Sequence, residues 1–588
     1  MMKKIATAAA FILVVVVIPL TIWVMVFAAF PGGIVDPEYE TETVGVETTF
    51  HEGVVYRYPD VIPLVSVTGD HYEMGLQYGV LLKDEILTSL DEYERIFRFI
   101  ARDEGIPYRL LVGVMKLRTR KIAKKLPERF IEEARGVSAG SGVPLDTVLM
   151  VSLFYDVSES LGGCTSVLMR GEDGGVIHAR NNDFAFLDAL DDLSVVVTHN
   201  ATGFYTVTHI DWYLGMGVET GYNDHGLTYS EETLGSVSPN AEGFSLTYLA
   251  RIAMEEKEDL DGVMEVFDTL PTIGGYGTVW ADLDAGEGAV IEVSPTGWTS
   301  FPLGSDLIWN LNHYYDEAIR EIHQSVYKCL KADDWDRELV ASSFDASNPP
   351  FDIADALSFV RNRTAPDGTD LTRFGSACPV CNNHGWQMMI FDPNGDGFYY
   401  SWGGSYAALN DVWRIYQDFS RPPEIAFEAI PVDEYIKEHA AVDGMLLTDE
   451  EKLDEYVKLA KKYPNEANAQ FYAAYSAFLC GRPDLLIEYA PKAYDMRPDV
   501  AEYRLFDGLS ALTRGDAVGA TALLSDIDDG LFTPYQQIIR YAALERAEVD
   551  RADTHRGAYE AIVSEYGAED YYEKRMCPLI DALAEYGE

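Results

Sequence analysis

The pattern of apolar and polar positions divides the chain into four stretches. Apolar residues run from Ile5 to Phe30, interrupted only by Thr7, Pro19 and Thr21. As a helix this run reaches about 39 Å, enough to cross a hydrocarbon core of about 30 Å. It exceeds the roughly 7–15 residues of a signal-peptide core, so residues 1–30 are expected to form an uncleaved membrane anchor. Lys3 and Lys4 precede the run and the acidic stretch Asp36–Glu40 follows it. The positive-inside rule then places the amino terminus in the cytoplasm and the bulk of the chain outside. Residues 31–58 are polar and acidic and read as a linker.

Between residues 59 and 160 the spacing predicts helices. Ile86, Leu90, Tyr93, Phe97 and Ile100 form one stripe within Glu85–Ile100, and Pro127–Gly140 carries another. From Cys164 the period changes to that of strands. Cys164–Arg170 and Val176–Asp183 are joined by the turn-forming Gly171–Gly175, a hairpin signal. Further strand-like runs lie at Ser194–His199, Phe204–His209, Leu227–Ser230, Val290–Val293, Gln387–Phe391 and Phe398–Trp402, with helical stretches such as Ser245–Met254 between them. Many strands and helices without a βαβ rhythm predict a layered α+β domain over 59–425. Over 430–588 the pattern is helical and repeats: Pro464/Pro498, Gly481/Gly515 and Phe471/Leu505 are each 34 residues apart. Helical pairs at that period resemble tetratricopeptide repeats, for which a protein partner is expected.

Composition narrows the function. A length of 588 residues predicts two to four domains, and 47% hydrophobic with 12% aromatic residues excludes a disordered chain. A formal net charge of −51 argues against a nucleic-acid partner, whose footprint is basic. Six cysteines are too few for a disulfide scaffold.

Candidate chemistry concentrates at the predicted hairpin. Cys164 follows Gly162-Gly163 and opens the first strand; Arg180 and Asp183 come 16 and 19 residues later, at the end of the return strand. A hairpin brings both back to Cys164. A cation beside a thiol favours the thiolate, which is the nucleophile.

These motifs resemble the isopenicillin-N acyltransferase-like family of N-terminal-nucleophile hydrolases, whose wider superfamily includes choloylglycine hydrolase, acid ceramidase and N-acylethanolamine amidase. The Gly-Cys-Thr-Ser start and the Arg-Asn-x-Asp-Phe close carry the resemblance, with His71–Gly79, Gly221–Leu227 and Asn310–Tyr314 in support. It implies a four-layer αββα sandwich over 59–425, with a helical pro-part 59–163 and a catalytic part 164–425. It also implies that the chain cuts itself between Gly163 and Cys164. The freed α-amine of Cys164, titrating near 8, would then act as general base. Asp183 would orient that amine, and Arg180 would steady the thiolate and hold substrate. Asn312, with Asn223 second, would supply oxyanion donors. The implied activity is hydrolysis or acyl transfer at the carbon–nitrogen bond of a small-molecule N-acyl amide, with no cofactor and no metal. The competing reading is a membrane-tethered interaction protein with an inactive hydrolase core.

Other motifs fail on context. Gly136-Val-Ser-Ala-Gly140 fits a nucleophile elbow but follows a helical stretch where an elbow needs a strand. Asp392–Gly397 imitates the start of a calcium loop, yet Gly403 stands where Glu is required, so a hairpin turn is expected. Cys378 and Cys381 with His384 make half of a zinc pattern, leaving a disulfide or two free thiols open. Asn200 and Asn362 each begin an N-glycosylation acceptor pattern.

Overall fold

The computed structural model describes residues 29–586 apart from 155–161, 185–186, 191, 241, 305, 324–332, 346–348, 365–379, 394, 526, 529–532 and 566–571. The chain first lays down four strands, β1 (Glu42–Val44), β2 (Glu47–Phe50), β3 (Gly53–Tyr56) and β4 (Leu64–Gly69). The expectation of a linker over 31–58 is therefore corrected. β1 to β3 form the edge of a large sheet, where one side meets water, and the polar composition that reads as a linker suits such an edge.

Helices follow: α1 (His71–Leu81), α2 (Lys83–Asp103), α3 (Tyr108–Ala123), α4 (Glu128–Ser141) and α5 (Leu145–Ser152). Asp70 starts α1 with a capping box, its side chain accepting from Glu73 N–H while Glu73 reaches back. α1 and α4 cross closely enough that a Cβ on Gly75 would lie 2.0 Å from the Glu133 carbonyl oxygen, and one on Gly140 2.5 Å from that of Leu76. The elbow-like Ser138 is thus a helical residue, its hydroxyl donating to Val143 O at 2.6 Å.

The remaining strands of the sandwich are β5 (Gly162–Arg170), β6 (Val176–Phe184), β7 (Ser194–Ala201), β8 (Val207–Trp212), β9 (Thr220–Asn223), β10 (Leu227–Thr233), β11 (Tyr276–Asp282), β12 (Glu287–Ser294), β13 (Gly297–Pro302), β14 (Leu307–Asn310), β15 (Gly385–Phe391), β16 (Gly397–Trp402), β17 (Val412–Tyr416) and β18 (Glu424–Phe427). Two sheets result, one of eleven strands (β1-β2-β3-β4-β7-β8-β9-β10-β11-β12-β13) and one of seven (β14-β5-β6-β15-β16-β17-β18). Every pairing is antiparallel except β4 with β7. β4 precedes the helices of the stretch expected to be mainly helical, 59–160.

The sheets face each other across two apolar clusters, one with Leu168 and Val176 against Val279 and Val290, the other with Leu64 and Val196 against Met389 and Tyr400. α1 to α5, with α6 (Leu246–Glu256) and α7 (Leu260–Thr269), cover the outer face of the eleven-stranded sheet. α8 (Asp333–Asp345) and α9 (Ile353–Val360) cover that of the seven-stranded sheet, against Val167, Met169, Ile177 and Ala179. The order of layers is helix, sheet, sheet, helix. The Asp392–Gly397 segment joins β15 to β16 as a hairpin.

A helical region completes the chain, beginning α10 (Glu434–Gly444), α11 (Asp449–Lys462), α12 (Ala467–Leu479), α13 (Pro483–Met496) and α14 (Ala501–Thr513). Its core is built from small and aromatic residues such as Phe471, Ala474, Tyr503 and Phe506.

Residues 1–28 of the expected anchor lie outside the described residues. Among the described residues no helix is long and apolar enough to cross a membrane. The carboxyl end of the 1–30 span is corrected: Phe30 is buried in the core, its ring edge-on to Phe97 at 5.1 Å. Lys116 Nζ donates to Ala29 O at 2.7 Å and Thr147 to Pro31 O at 2.5 Å. Phe30→Ala is expected to destabilise the domain by about 3–5 kcal/mol. Urea unfolding of a chain beginning at Ala29, with and without the substitution, measures it.

Candidate functional site

Cys164 sits third in β5, opposite Asn182 of β6, and Gly163 lies opposite Asp183. The turn after Arg170 sets this register, so the return strand delivers Arg180, Asn182 and Asp183 to the start of β5. All three are buried, Arg180 and Asn182 on the face of β6 that meets the other sheet and Asp183 on the opposite face, with Ile177 and Ala179. Arg180 Nη2 donates to Cys164 Sγ at 3.4 Å, and the thiol lies 3.3 Å from Asn182 Oδ1. Arg180 itself is fixed by the carbonyls of Glu219 (3.1 Å) and Glu231 and by the Thr220 hydroxyl. Asn382 Nδ2 donates to Asp183 Oδ2 at 2.5 Å.

Asn312 reaches the site from 148 residues away in sequence. Its Oδ1 accepts from the Cys164 backbone N–H at 2.7 Å and from Arg337 Nη2 at 2.8 Å. Its Nδ2 donates to Thr233 O at 3.0 Å. The two donors on its oxygen settle the amide's orientation. Asn312, the expected oxyanion donor, thus lies at the site and presents its oxygen to the Cys164 nitrogen. Asn223 is not brought to the site. It caps the β9–β10 turn, donating to Met254 O and Lys257 O at 3.0 and 3.1 Å and accepting from His225 and Leu227 N–H. Three residues of strand, about 10 Å, separate it from Thr220 beside Arg180.

Sequence reasoning missed Arg337, Asn382, Asn182 and Glu232. Arg337 on α8 donates to Cys164 O, to Thr165 Oγ1 at 3.0 Å and to Asn312. No motif marks it. Asn182 occupies the unspecified place in Arg-Asn-x-Asp-Phe and carries no signal of its own. Glu232 accepts from the Ser166 hydroxyl and from Asn310 Nδ2 at 2.7 Å. Cys378 lies outside the described residues, whereas Cys381 is a buried free thiol. Asn200 lies on β7, its amide donating to Ser66 Oγ at 3.0 Å. Among the described residues no group of three or more His, Cys, Asp or Glu could hold a metal ion.

The electrostatics follow from burial. Burial pushes the Cys164 thiol up to about 12; Arg180 and the Asp183 backbone N–H pull it down, while Asp183 and Glu232 add to the rise. Burial likewise lifts the Glu232 carboxyl to about 7 against the pull of Arg180. Asp211 rises to about 7 for the same reason, and Glu219 well above its ordinary value through burial and its neighbours Asp211 and Glu231. Arg180 stays protonated, because its carboxylate and thiol neighbours outweigh its own burial. The arrangement is one thiol held neutral beside one permanent cation, inside a shell of carboxyl groups. A separate cavity of about 470 Å³ opens between Asn200, Tyr222, Thr228 and Phe391, and none of the partners of Cys164 named here lines it.

Residues 169–331 match the family model of acyl-coenzyme A:6-aminopenicillanic acid acyl-transferase. The match starts five residues after Cys164. Among curated proteins, the N-acylethanolamine-hydrolyzing acid amidase of Caenorhabditis elegans is 25% identical over 211 residues, 33% of this chain and 55% of that protein. That of Rattus norvegicus is 26% identical over 179 residues, 29% of this chain and 49% of that protein. The chain thus spans about half the length of these relatives. Among solved structures, the Caenorhabditis elegans N-acylethanolamine-hydrolyzing acid amidase ortholog is similar at 16% identity and a TM-score of 0.30, covering 40% of this chain and 94% of that one.

Proposed function

We propose that this protein is an N-terminal-nucleophile cysteine enzyme that cleaves or transfers the acyl group of an N-acyl amide. The observation that carries the reading is the pairing of the Cys164 thiol with Arg180 Nη2 at 3.4 Å while Asn312 takes the Cys164 N–H. Sulfur and α-nitrogen of one residue are both held, as a residue that must become an amino-terminal nucleophile requires. The likeness to the acyl-transferase family model and to acid amidases supports the same class.

The first step is self-cleavage. Cys164 Sγ attacks the Gly163 carbonyl carbon, the Gly163–Cys164 C–N bond breaks, and a thioester forms between Gly163 and Sγ. The thiol's proton ends on the departing α-nitrogen. Water then hydrolyses the thioester, giving a Gly163 carboxylate and a Cys164 with free thiol and free α-amine. In turnover the α-amine takes the thiol proton and Sγ attacks the substrate amide carbonyl. The leaving amine takes that proton, and water or an acceptor amine resolves the acyl-enzyme. Asn312 Oδ1 steadies the α-amine, Arg337 holds the Cys164 carbonyl, and Arg180 offsets charge on sulfur.

The segment 5–28 serves in this reading as an anchor that places the hydrolase outside the membrane, and the helical region after 430 as a repeat-like unit for a protein partner. The test is the intact mass of the purified protein under denaturing conditions. Two chains, the second beginning at Cys164, are expected. A single uncut chain across pH 4–9 overturns the reading.

A further inference from the structure

Asp183 is held by a turn, and a distant helix holds that turn. Asn382 Oδ1 accepts from His384 N–H at 2.8 Å, which leaves Asn382 Nδ2 aimed at Asp183 Oδ2, 2.5 Å away. His384 O accepts from Phe184 N–H at 2.9 Å, so the same turn also grips the end of β6. On its inner side the turn is tied by Asn181, whose Nδ2 donates to Val360 O and Val380 O, both at 2.8 Å. On its outer side Asn383 Nδ2 donates to Asp443 Oδ2 on α10.

Asp443 is built to receive that bond. Burial pushes its carboxyl up, but His439, Lys452 and His384 outweigh burial and keep it below its ordinary value, so it remains a charged acceptor. The Tyr456 hydroxyl of α11 donates to its other oxygen, and Lys452 Nζ donates to its carbonyl at 3.1 Å. α10 is itself embedded in the sandwich, with Tyr435, Ile436 and Ala440 in the cluster that includes Val167 and Ala179 of β5 and β6.

We propose that Asp443 is a positioning residue for the Cys164 centre and that the carboxyl-terminal helical region, through it, forms a working part of the site. The line of contact runs from Asp443 to Asn383, along the turn to Asn382, and from there to Asp183 opposite Gly163. This rests on the reading of Cys164 as a self-cleaving nucleophile. A carboxylate opposite the bond to be cut must be placed closely, and small misplacements at such a centre slow chemistry strongly.

The test is the rate at which the full chain releases a fragment beginning at Cys164. Asp443→Asn keeps an amide oxygen that can turn to Asn383 and is expected to change release by less than about twofold, whereas Asn383→Asp sets two carboxylates together and is expected to slow release about tenfold. The double exchange, Asn383→Asp with Asp443→Asn, restores one donor and one acceptor and is expected to return the rate to within about twofold of wild type. Asn383→Ala removes the bond without creating repulsion, and it is expected to slow release while keeping the wild-type melting temperature. Release at the wild-type rate in Asn383→Ala, or a double variant as slow as Asn383→Asp alone, overturns the proposal. An uncut wild-type chain overturns the nucleophile reading and this proposal with it.

Discussion

On the proposed reading, Cys164→Ala is expected to remain a single uncut chain of full length under conditions where the wild type separates into two, and to turn over no N-acyl amide. The expectation follows from the atoms at the site. The alanine keeps the backbone N–H that Asn312 accepts at 2.7 Å and the carbonyl that Arg337 holds, so both tethers survive. Only the sulfur is lost. Without it nothing attacks the Gly163 carbonyl, the C–N bond stays closed, and no α-amine is released. The loss is complete because nucleophile and base arise from the same residue. The fold should tolerate the change, since removing one buried sulfur lowers stability by about 1 kcal/mol. Arg180→Ala is the less clean experiment, because it also strips the cation from among Glu219, Glu231 and Glu232. Intact masses and melting curves of both proteins, measured side by side, check the expectation. A Cys164→Ala chain that still splits at Gly163 assigns the cut to another group.

Glu133→Ala lowers stability at pH 7 by about 3–5 kcal/mol, the loss expected when one partner of a buried ion pair is removed. Glu133 on α4 faces Arg251 Nη2 at 3.3 Å and His199 Nδ1 at 3.2 Å. Arg251 is fully buried and keeps one carboxylate, Glu255 at 2.7 Å, and the Met216 carbonyl at 2.9 Å once Glu133 is gone. The pH dependence gives a second check. Burial pushes the Glu133 carboxyl up, but Arg251, His199 and His71 outweigh it and hold the group at about 2, below its ordinary 4.5. A carboxyl whose folded value is depressed stabilises the fold above its unfolded value, and that contribution is lost as pH falls through the folded one. The Glu133 contribution is therefore present above pH 4.5 and fades between 4.5 and 2. In Glu133→Ala the unfolding free energy, followed by urea titration, should be lower at pH 7 and fall less steeply across that window. Equal slopes would show that the carboxyl carries no such linkage.

The sequence was most legible where contacts are local. The β5–β6 hairpin was readable from two strand-like runs and a glycine turn, and with it the meeting of Cys164, Arg180 and Asp183. That meeting follows from period and turn length alone, because a hairpin register needs no distant information. The mixture of strand-like and helical runs without a βαβ rhythm also carried the layered α+β class, and the helical pattern after 430 carried the terminal region.

What the sequence could not decide came from afar or from an edge. Arg337 meets Cys164 across 173 residues and Asn382 meets Asp183 across 199, and neither lies in a patterned motif. Which end of the Asn312 amide faces Cys164 depends on Arg337 arriving beside it. Asn223 matched a motif and yet serves a turn, because β9 ends too far from Arg180. Phe30 closes an apolar run that reads as membrane but packs on Phe97, since hydropathy measures transfer from water and does not distinguish lipid from a protein core. β1 to β3 look like a linker because edge strands need few apolar residues once a sheet offers them hydrogen-bond partners. The amino-acid sequence by itself determined the local hairpin and the nearness of Cys164, Arg180 and Asp183. The tertiary structure alone decided the partners that hold that trio in place, because long-range contacts are selected by the summed shape of two sheets and leave no periodic trace along the chain.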